Sequence, residues 1–139
     1  MSYTPDPVPR SSRADKRPPL ILIVDDSLDA REMYCMQLKH DGFDCVEAAN
    51  GEEALQLARI HRPALAVMDA TMPVMDGWQA VEAIRADDTL RGMAVVMLTA
   101  HAFDTHRLRA QRVGADVFLA KPIVPADLTS AIKKLLRLA

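Results

Sequence analysis

At the centre of the sequence stands Leu65-Ala66-Val67-Met68-Asp69-Ala70-Thr71-Met72-Pro73-Val74-Met75-Asp76-Gly77. Its apolar run, which ends abruptly at Asp69, predicts a buried strand that carries one carboxylate to the edge of a sheet. The residues after it, with a proline and an Asp-Gly pair, are typical of a loop that leads into a helix. Because a single Asp at a strand end usually serves a turn or a helix cap, a reactive role for Asp69 depends on the rest of the chain.

Length and composition favour one domain with an ordinary core. The chain has 139 residues, of which 50% are hydrophobic and 26% are charged. A net charge of −2 indicates neither a nucleic-acid surface nor a membrane-binding patch. No apolar run is long enough to span a membrane and no signal peptide is evident, so we expect a cytoplasmic protein. Cys35 and Cys45 lack metal-ligand spacing and are expected to be reduced, packed thiols.

The first residues differ in composition from the rest. Residues 1–18 contain four prolines among serine, arginine and aspartate. Such a segment buries too little apolar area to offset the entropy of ordering it. We therefore expect residues 1–18 to be a disordered leader and residues 19–139 to form the folded domain.

Strand and helix signals alternate along the folded domain. Strands are predicted at 20–24, 43–46, 64–68, 94–98 and 117–120, and helices at about 27–41, 50–60, 76–85, 103–113 and from 125 onward. This alternation is typical of a mostly parallel sheet with helices on both faces. We expect the first helix to place Met33, Tyr34 and Leu38 on one apolar face and Trp78 to be half packed at the surface. The helix at 103–113 has the poorest apolar face and should be the loosest.

Polar groups follow the predicted strands at their carboxyl ends, which meet at one edge of a parallel sheet. These groups are Asp25, Asp26, Asp69, Thr99 and Lys121. Three carboxylates gathered at one edge repel one another unless a cation is present, which indicates a hard divalent metal, Mg²⁺ (or Mn²⁺). A carboxylate beside such a metal is a nucleophile toward phosphorus, and an ammonium group with a hydroxyl can stabilise the transferred phosphoryl group.

Four motifs carry a resemblance to a known family. They are Ile-Val-Asp-Asp-Ser at 23–27, Met-Asp-x-x-Met-Pro-x-Met-Asp-Gly at 68–77, Leu-Thr-Ala at 98–100 and Lys-Pro at 121–122. With these motifs, the chain from about residue 20 to its end resembles the receiver domain of a two-component response regulator. The resemblance implies a flavodoxin-like (CheY-like) α/β fold, a doubly wound sheet of five parallel strands in the order 2-1-3-4-5 with five helices.

The resemblance also implies roles for the strand-end residues. Asp69 would be the phosphoacceptor, and Lys121 and Thr99 would contact the phosphoryl group. Asp25 and Asp26 would hold Mg²⁺ together with Asp69 and the backbone carbonyl of Thr71.

Further positions are implied as parts of a switch. Phe118 would be the aromatic residue whose rotamer follows Thr99, and the Lys121-Pro122 peptide bond would be cis. Thr71 and His101, two residues beyond Asp69 and Thr99, would influence how long the acyl phosphate lasts. The signalling surface would consist of the fourth helix, the last strand and the last helix.

The function that we expect is a phosphorylation switch. Because the chain begins at Met1 and finishes with the last receiver helix, we expect a stand-alone receiver, a monomer or weak dimer. It would accept a phosphoryl group from a sensor histidine kinase or a histidine phosphotransfer protein and would dock to a downstream effector protein, without contact to nucleic acid or membrane. It would catalyse only its own phosphorylation and dephosphorylation, and so would not be an enzyme in the usual sense.

Three other functions are considered. A phosphorelay shuttle would pass the phosphoryl group on to a histidine phosphotransfer protein, and the sequence does not distinguish this role from a switch. An aspartyl-phosphate phosphatase usually has a second acid two residues after the nucleophile, but position 71 is Thr. A flavin or nucleotide binder is disfavoured because neither a dinucleotide-binding nor a P-loop glycine motif occurs in the sequence.

Overall fold

The computed structural model describes residues 17–100 and 104–138. Within these ranges strands and helices alternate without exception. The strands are β1 Leu20–Val24, β2 Asp44–Ala48, β3 Leu65–Asp69, β4 Ala94–Thr99 and β5 Val117–Ala120. The helices are α1 Leu28–His40, α2 Gly51–His61, α3 Gly77–Ala86, α4 Asp104–Val113 and α5 Pro125–Leu136.

All neighbouring strands of the sheet run parallel, in the order β2-β1-β3-β4-β5. The predicted fold and strand order are therefore confirmed. Predicted and observed boundaries differ by at most two residues at each strand end, and the largest shift is at β2, which extends to Ala48.

Local capping sets where three of the helices begin. The Ser27 hydroxyl accepts a hydrogen bond from the Ala30 N–H at 3.2 Å and so caps α1. At α2 the Asn50 side chain accepts from the Glu53 N–H at 2.9 Å, while the Glu53 carboxylate accepts from the Ala49 N–H at 2.6 Å. This pair resembles a capping box, with the Glu53 carboxylate reaching the residue before the Asn50 cap. The Asp76 side chain caps α3 by accepting a hydrogen bond from the Gln79 N–H at 2.9 Å.

The sheet separates two apolar cores. Residues of each strand alternate between the two faces, and the three inner strands are almost fully excluded from solvent on both sides. α1 and α5 cover one face with Tyr34, Cys35, Leu38, Leu128 and Ile132. α2, α3 and α4 cover the other face, mainly with Ala54, Leu55, Trp78, Val81, Ile84 and Ala110.

Two expectations about packing are wrong. Met33 is 46% exposed, and Cys35 takes its place in the core because α1 turns the side that carries Cys35 toward β1 and β2. Trp78 is only 6% exposed, since α4 and β5 cover its ring. The expectation for α4 agrees with the structure: among residues 106–113, Ala110 alone is buried.

No helix formed by the described residues is long and apolar enough to cross a bilayer. His101 and most of the leader, residues 1–16, lie outside the described residues.

Candidate functional site

The parallel sheet brings four strand ends together at one edge. Asp25 directly follows β1, Asp69 is the last residue of β3, Thr99 is the last residue of β4, and Lys121 directly follows β5. Because β1, β3, β4 and β5 are adjacent in that order, residues far apart in sequence share this edge. The structure thus brings together the strand-end groups that the sequence singles out.

Three carboxylates form an acidic cluster at this edge. Asp25, Asp26 and Asp69 each offer an oxygen within 4.8 Å of the other two. Asp25 and Asp69 are 2% and 7% exposed, whereas Asp26 faces solvent. Hard divalent cations bind carboxylate oxygens at about 2.0–2.6 Å and span ligands at such separations. The oxygen donors and the open side at Asp26, where water can complete the coordination, fit Mg²⁺, which keeps several water ligands.

Lys121 places its ammonium group between the two buried acids. Its Nζ donates a hydrogen bond to Asp25 Oδ2 at 2.8 Å and lies 3.6 Å from Asp69 Oδ1. Burial alone would lower the pKa of Lys121, but the hydrogen bond to Asp25 and the charges of both acids outweigh it and raise the pKa. Lys121 is therefore a fixed cation at this edge, and the peptide bond that joins it to Pro122 is cis.

The Asp69 carboxyl is a weaker acid than an ordinary aspartate. Burial raises its pKa, and so does the neighbouring Asp25 charge, while Lys121 and a hydrogen bond from the Thr71 N–H lower it; together they bring the pKa to about 6. The Thr71 N–H lies 3.4 Å from Asp69 Oδ1. A cation bound to the acidic cluster favours the charged form, which is also the nucleophilic form.

The loop after β3 folds back tightly onto Asp69. The Ala70 N–H donates to the Leu98 carbonyl at 2.8 Å, and the Gly77 N–H donates to the Ala70 carbonyl at 3.0 Å. A Cβ atom at position 77 would overlap with the carbonyl oxygen of Asp69, so the start of α3 packs against the strand end closely enough to require glycine. Val74, within this loop, has a φ of 68° and is 76% exposed.

Two threonines lie near this edge: Thr99 is the last residue of β4, and Thr71 follows β3 by two residues. Thr99 is 2% exposed, and its backbone carbonyl accepts a hydrogen bond from the Lys121 N–H at 2.7 Å. Thr71 is exposed, in the loop that begins at Ala70. Asp25 is held in turn by the Ser27 N–H, which donates to its Oδ1 at 2.9 Å.

Phe118 belongs to an aromatic stack on the α3 and α4 side of the sheet. Its ring centroid lies 6.3 Å from that of Trp78, with 29° between the planes. Two guanidinium groups of α4 lie over these rings, Arg109 at 4.5 Å from the Trp78 centroid and Arg107 at 5.8 Å from the Phe118 centroid. The His106 ring approaches Trp78 at 6.0 Å. α4 is therefore joined to the aromatic pair by contacts of the cation–π type.

Sequence reasoning missed three residues that support the site. Arg31 of α1 donates to the Asp25 backbone carbonyl at 2.7 Å and to Glu47 of β2 at 3.1 Å. Gly77 lets the start of α3 approach Asp69 closely, and the Trp78 ring contacts both the Phe118 ring and the Arg109 guanidinium. The Asp-Gly pair at 76–77 signals a turn, but nothing in the sequence around Arg31 or Trp78 reveals their distant partners.

Comparison with known proteins agrees with this architecture. The family profile "Response regulator receiver domain" matches residues 21–133. The transcriptional regulatory protein PrrA of Mycobacterium tuberculosis is 39% identical over 119 residues, which cover 86% of this chain and 50% of that protein. The chain spans about half the length of the curated relatives that it matches.

Solved structures give the same result. A response regulator from Chloroflexus aurantiacus superimposes with a TM-score of 0.83 at 31% identity, covering 87% of this chain and 99% of that one. A CheX-CheY-BeF₃-Mg complex from Borrelia burgdorferi gives a TM-score of 0.82 at 27% identity, covering 89% and 93%. With its fold, its strand-end acids and these matches, the chain belongs to the family of response regulator receiver domains.

Proposed function

We propose that this receiver is phosphorylated on Asp69 and that phosphorylation changes its binding to a protein partner. One observation carries the proposal: a buried carboxylate lies beside a second buried acid and a fixed lysine ammonium at a shared strand edge. One lysine cation offsets only one of the two buried negative charges, and an uncompensated buried charge is costly, so the site favours a cation that binds from outside.

The residues at the edge supply what transfer to Asp69 requires. The carboxylate oxygen of Asp69 forms the new O–P bond while the donor's P–N bond breaks, and the leaving imidazole takes up a proton. Mg²⁺, when bound, neutralises charge on the phosphoryl oxygens, and Asp25, Asp26, Asp69 and the Thr71 carbonyl would hold it.

Lys121 and Thr99 are the proposed phosphoryl contacts. The Lys121 ammonium already lies 3.6 Å from Asp69 Oδ1, so it would pair with a phosphoryl oxygen after a small movement. The Thr99 hydroxyl lies at the neighbouring strand end, where it would donate to another phosphoryl oxygen. Thr71 and His101 are the positions that we propose modulate hydrolysis of the acyl phosphate.

The switch would run from Thr99 to α4 through Phe118. A shift of Thr99 toward the phosphoryl group leaves space beside β4, and Phe118 on the adjacent strand β5 would move with it. Phe118 stacks on Trp78, and the Arg107 guanidinium lies over the Phe118 ring. Movement of Phe118 would therefore weaken or strengthen the contacts that hold α4. The phosphoryl group thereby shifts a population between two arrangements of the α4, β5 and α5 face.

The proposed partners are a histidine kinase or histidine phosphotransfer protein as donor and an effector protein as reader. A cytoplasmic, stand-alone receiver without direct nucleic-acid contact stays a prediction, since PrrA and the other curated relatives are about twice as long and are named as transcriptional regulators.

The test is chemical phosphorylation followed by intact mass. We expect wild-type protein with acetyl phosphate and Mg²⁺ to gain about 80 Da, as a base-labile, acid-stable adduct, and to gain nothing after removal of Mg²⁺ by EDTA. Asp69→Ala should remain unmodified. Asp88→Asn, which removes an acid whose side chain is 88% exposed, is the matched control and should be modified as wild type is.

Two outcomes would contradict the proposal: an adduct of the same mass in Asp69→Ala, or no adduct in wild type with either acetyl phosphate or a competent kinase. Transfer from phosphorylated Asp69 to a histidine phosphotransfer protein would instead identify a shuttle.

A further inference from the structure

Two cysteines meet between α1 and β2, away from the acidic cluster. Cys35 lies on α1 and is 4% exposed, and Cys45 lies on β2 and is half buried; both are free thiols. Cys45 Sγ lies 4.0 Å from the backbone oxygen of Cys35, and both residues pack in the same apolar core. The Cys45 sulfur therefore lies against Cys35, although ten residues separate the two cysteines in sequence.

A second contact fixes the same register of helix against strand. Arg31 and Cys35 are four residues apart and share one face of α1, while Cys45 and Glu47 are two residues apart and share one face of β2. The Arg31 side chain forms an ion pair with Glu47 at 3.1 Å. The sulfur contact is thus one of two cross-connections between the same pair of faces, and α1 cannot slide along β2 without breaking both.

The two thiols differ in chemical character. The hydrogen bond with Cys35 and the nearby Lys39 charge lower the pKa of Cys45 in spite of its partial burial. The same hydrogen bond and burial raise the pKa of Cys35. β2 is an edge strand, so Cys45 is the thiol that a small oxidant reaches first. A partly exposed, more acidic thiol beside a buried, less acidic one is the arrangement of an attacking and a resolving cysteine.

We propose that Cys35 and Cys45 are an oxidation site that closes to an intramolecular disulfide with hydrogen peroxide or an organic hydroperoxide. The Cys45 thiolate attacks one peroxide oxygen, the O–O bond breaks, and the leaving oxygen takes a proton as water or alcohol. The resulting sulfenic acid is attacked by the Cys35 sulfur; the S–O bond breaks, and hydroxide leaves with the Cys35 proton as water. Two thiols lose two electrons in total, and the peroxide gains them.

The bond would join the middle of α1 to the edge of the sheet. It closes a short loop through the turn between α1 and β2, which restricts the unfolded chain and stabilises the folded one. We expect the oxidised protein to melt about 5 °C or more above the reduced protein. The site is independent of Asp69, so its test does not depend on phosphorylation.

The experiment treats the reduced 139-residue chain with hydrogen peroxide and follows intact mass and free thiols. We expect a loss of about 2 Da with loss of both thiols, reversed by dithiothreitol. Peptide mapping should find residues 35 and 45 in one linked fragment. Cys35→Ser should accumulate a sulfenic acid at Cys45 that dimedone traps, and Cys45→Ser should slow oxidation of the remaining thiol about tenfold.

A chain unfolded in urea provides the control, because the proposal requires the native contact. Disulfide formation in urea as fast as in native protein, linkage only between two chains, or trapping of the first sulfenic acid at Cys35 would each overturn it. If a serine variant does not fold, limited iodoacetamide labelling of wild type decides the order of reactivity, with Cys45 expected to react before Cys35.

Discussion

Helices α3 and α4 lie side by side on the same face of the sheet, yet they are held in different ways. α3 buries Gly77, Trp78, Ala80, Val81 and Ile84 among its ten residues. α4 buries Ala110 alone among residues 106–113 and holds to its neighbours partly through cations over aromatic rings. The helix that supports the Asp69 loop is thus fixed by packing, whereas the helix proposed to report on Asp69 has few buried contacts, as expected of an element that moves.

The largest expected effect comes from disturbing the tight packing of α3. Gly77→Ala would place a Cβ against the Asp69 carbonyl oxygen and the Ala70 backbone, which have no room to retreat. We expect a loss of at least about 3 kcal/mol of unfolding free energy in urea denaturation. Gly92→Ala is the matched control, because nothing lies within 4 Å of the added atom. Equal unfolding free energies of the two variants would show that the start of α3 is not packed tightly against Asp69.

The second expected effect concerns the buried carboxylate of Asp69. The pKa of Asp69, about 6 in the folded protein, lies above the ordinary 3.8, so ionisation opposes folding as pH rises from one value to the other. Without Mg²⁺, Asp69→Asn should therefore stabilise the protein by roughly 2–3 kcal/mol above pH 6. The gain should disappear below about pH 4. There Asp69 is protonated in the folded and the unfolded wild type, so residue 69 is neutral in wild type and variant alike.

Denaturation of wild type and Asp69→Asn across this pH range provides the measurement. Asp88→Asn serves as the control and should change stability little at any pH, because the Asp88 side chain is 88% exposed. A constant difference between Asp69→Asn and wild type at all pH values would contradict burial of the charge as its cause.

A smaller effect is expected in the loop that joins β3 to α3. Val74 has a φ of 68°, a conformation that costs a β-branched residue about 1–2 kcal/mol. Because its side chain is exposed, Val74→Gly should raise the unfolding free energy by about 1 kcal/mol. Val124→Gly is the control, since Val124 is also exposed but has a φ of −67°. A gain at position 124 as large as that at position 74 would exclude backbone strain as the reason.

The smallest expected effect tests whether contacts with the aromatic rings hold α4 in place. Arg109→Ala removes the guanidinium that lies over Trp78 and should cost about 0.5–1 kcal/mol, felt mainly within α4. Hydrogen exchange of the α4 amides should accelerate while that of α3 stays unchanged. Arg112→Ala, which alters an exposed arginine of the same helix, should leave both unchanged. Acceleration throughout the protein would mean that α4 is not a separate unit.

Trp78 gives an optical measurement of the same region, because it is the chain's one tryptophan. Its emission should change when Asp69 is phosphorylated, and the change should be smaller in Arg109→Ala, where α4 is already released. An emission spectrum that phosphorylation leaves unaltered would contradict the proposed route from Phe118 to α4.

The sequence predicts the positions of the strand-end groups well because they depend on local signals. The polar residue after each apolar run indicates where the strand ends. Because the strands are parallel, their carboxyl ends, with Asp25, Asp69, Thr99 and Lys121, lie at one edge of the sheet. The strand order and the expected cis peptide came from resemblance to a family and not from the pattern of residues. Trp78 and the Cys35–Cys45 contact escaped prediction, because partners on different elements depend on how helices pack against the sheet and leave no mark in the local sequence.

The contact between Lys121 and Asp25 joins residues 96 positions apart. A ribosome that has released β1 and β3 has therefore not yet supplied the cation on which the acidic edge depends. A nascent or truncated chain lacking residue 121 would present its acids without their fixed positive charge and would be a poor acceptor. On the proposed function, competence to receive a phosphoryl group would depend on completion of the sheet, because Lys121 is supplied only with its last strand.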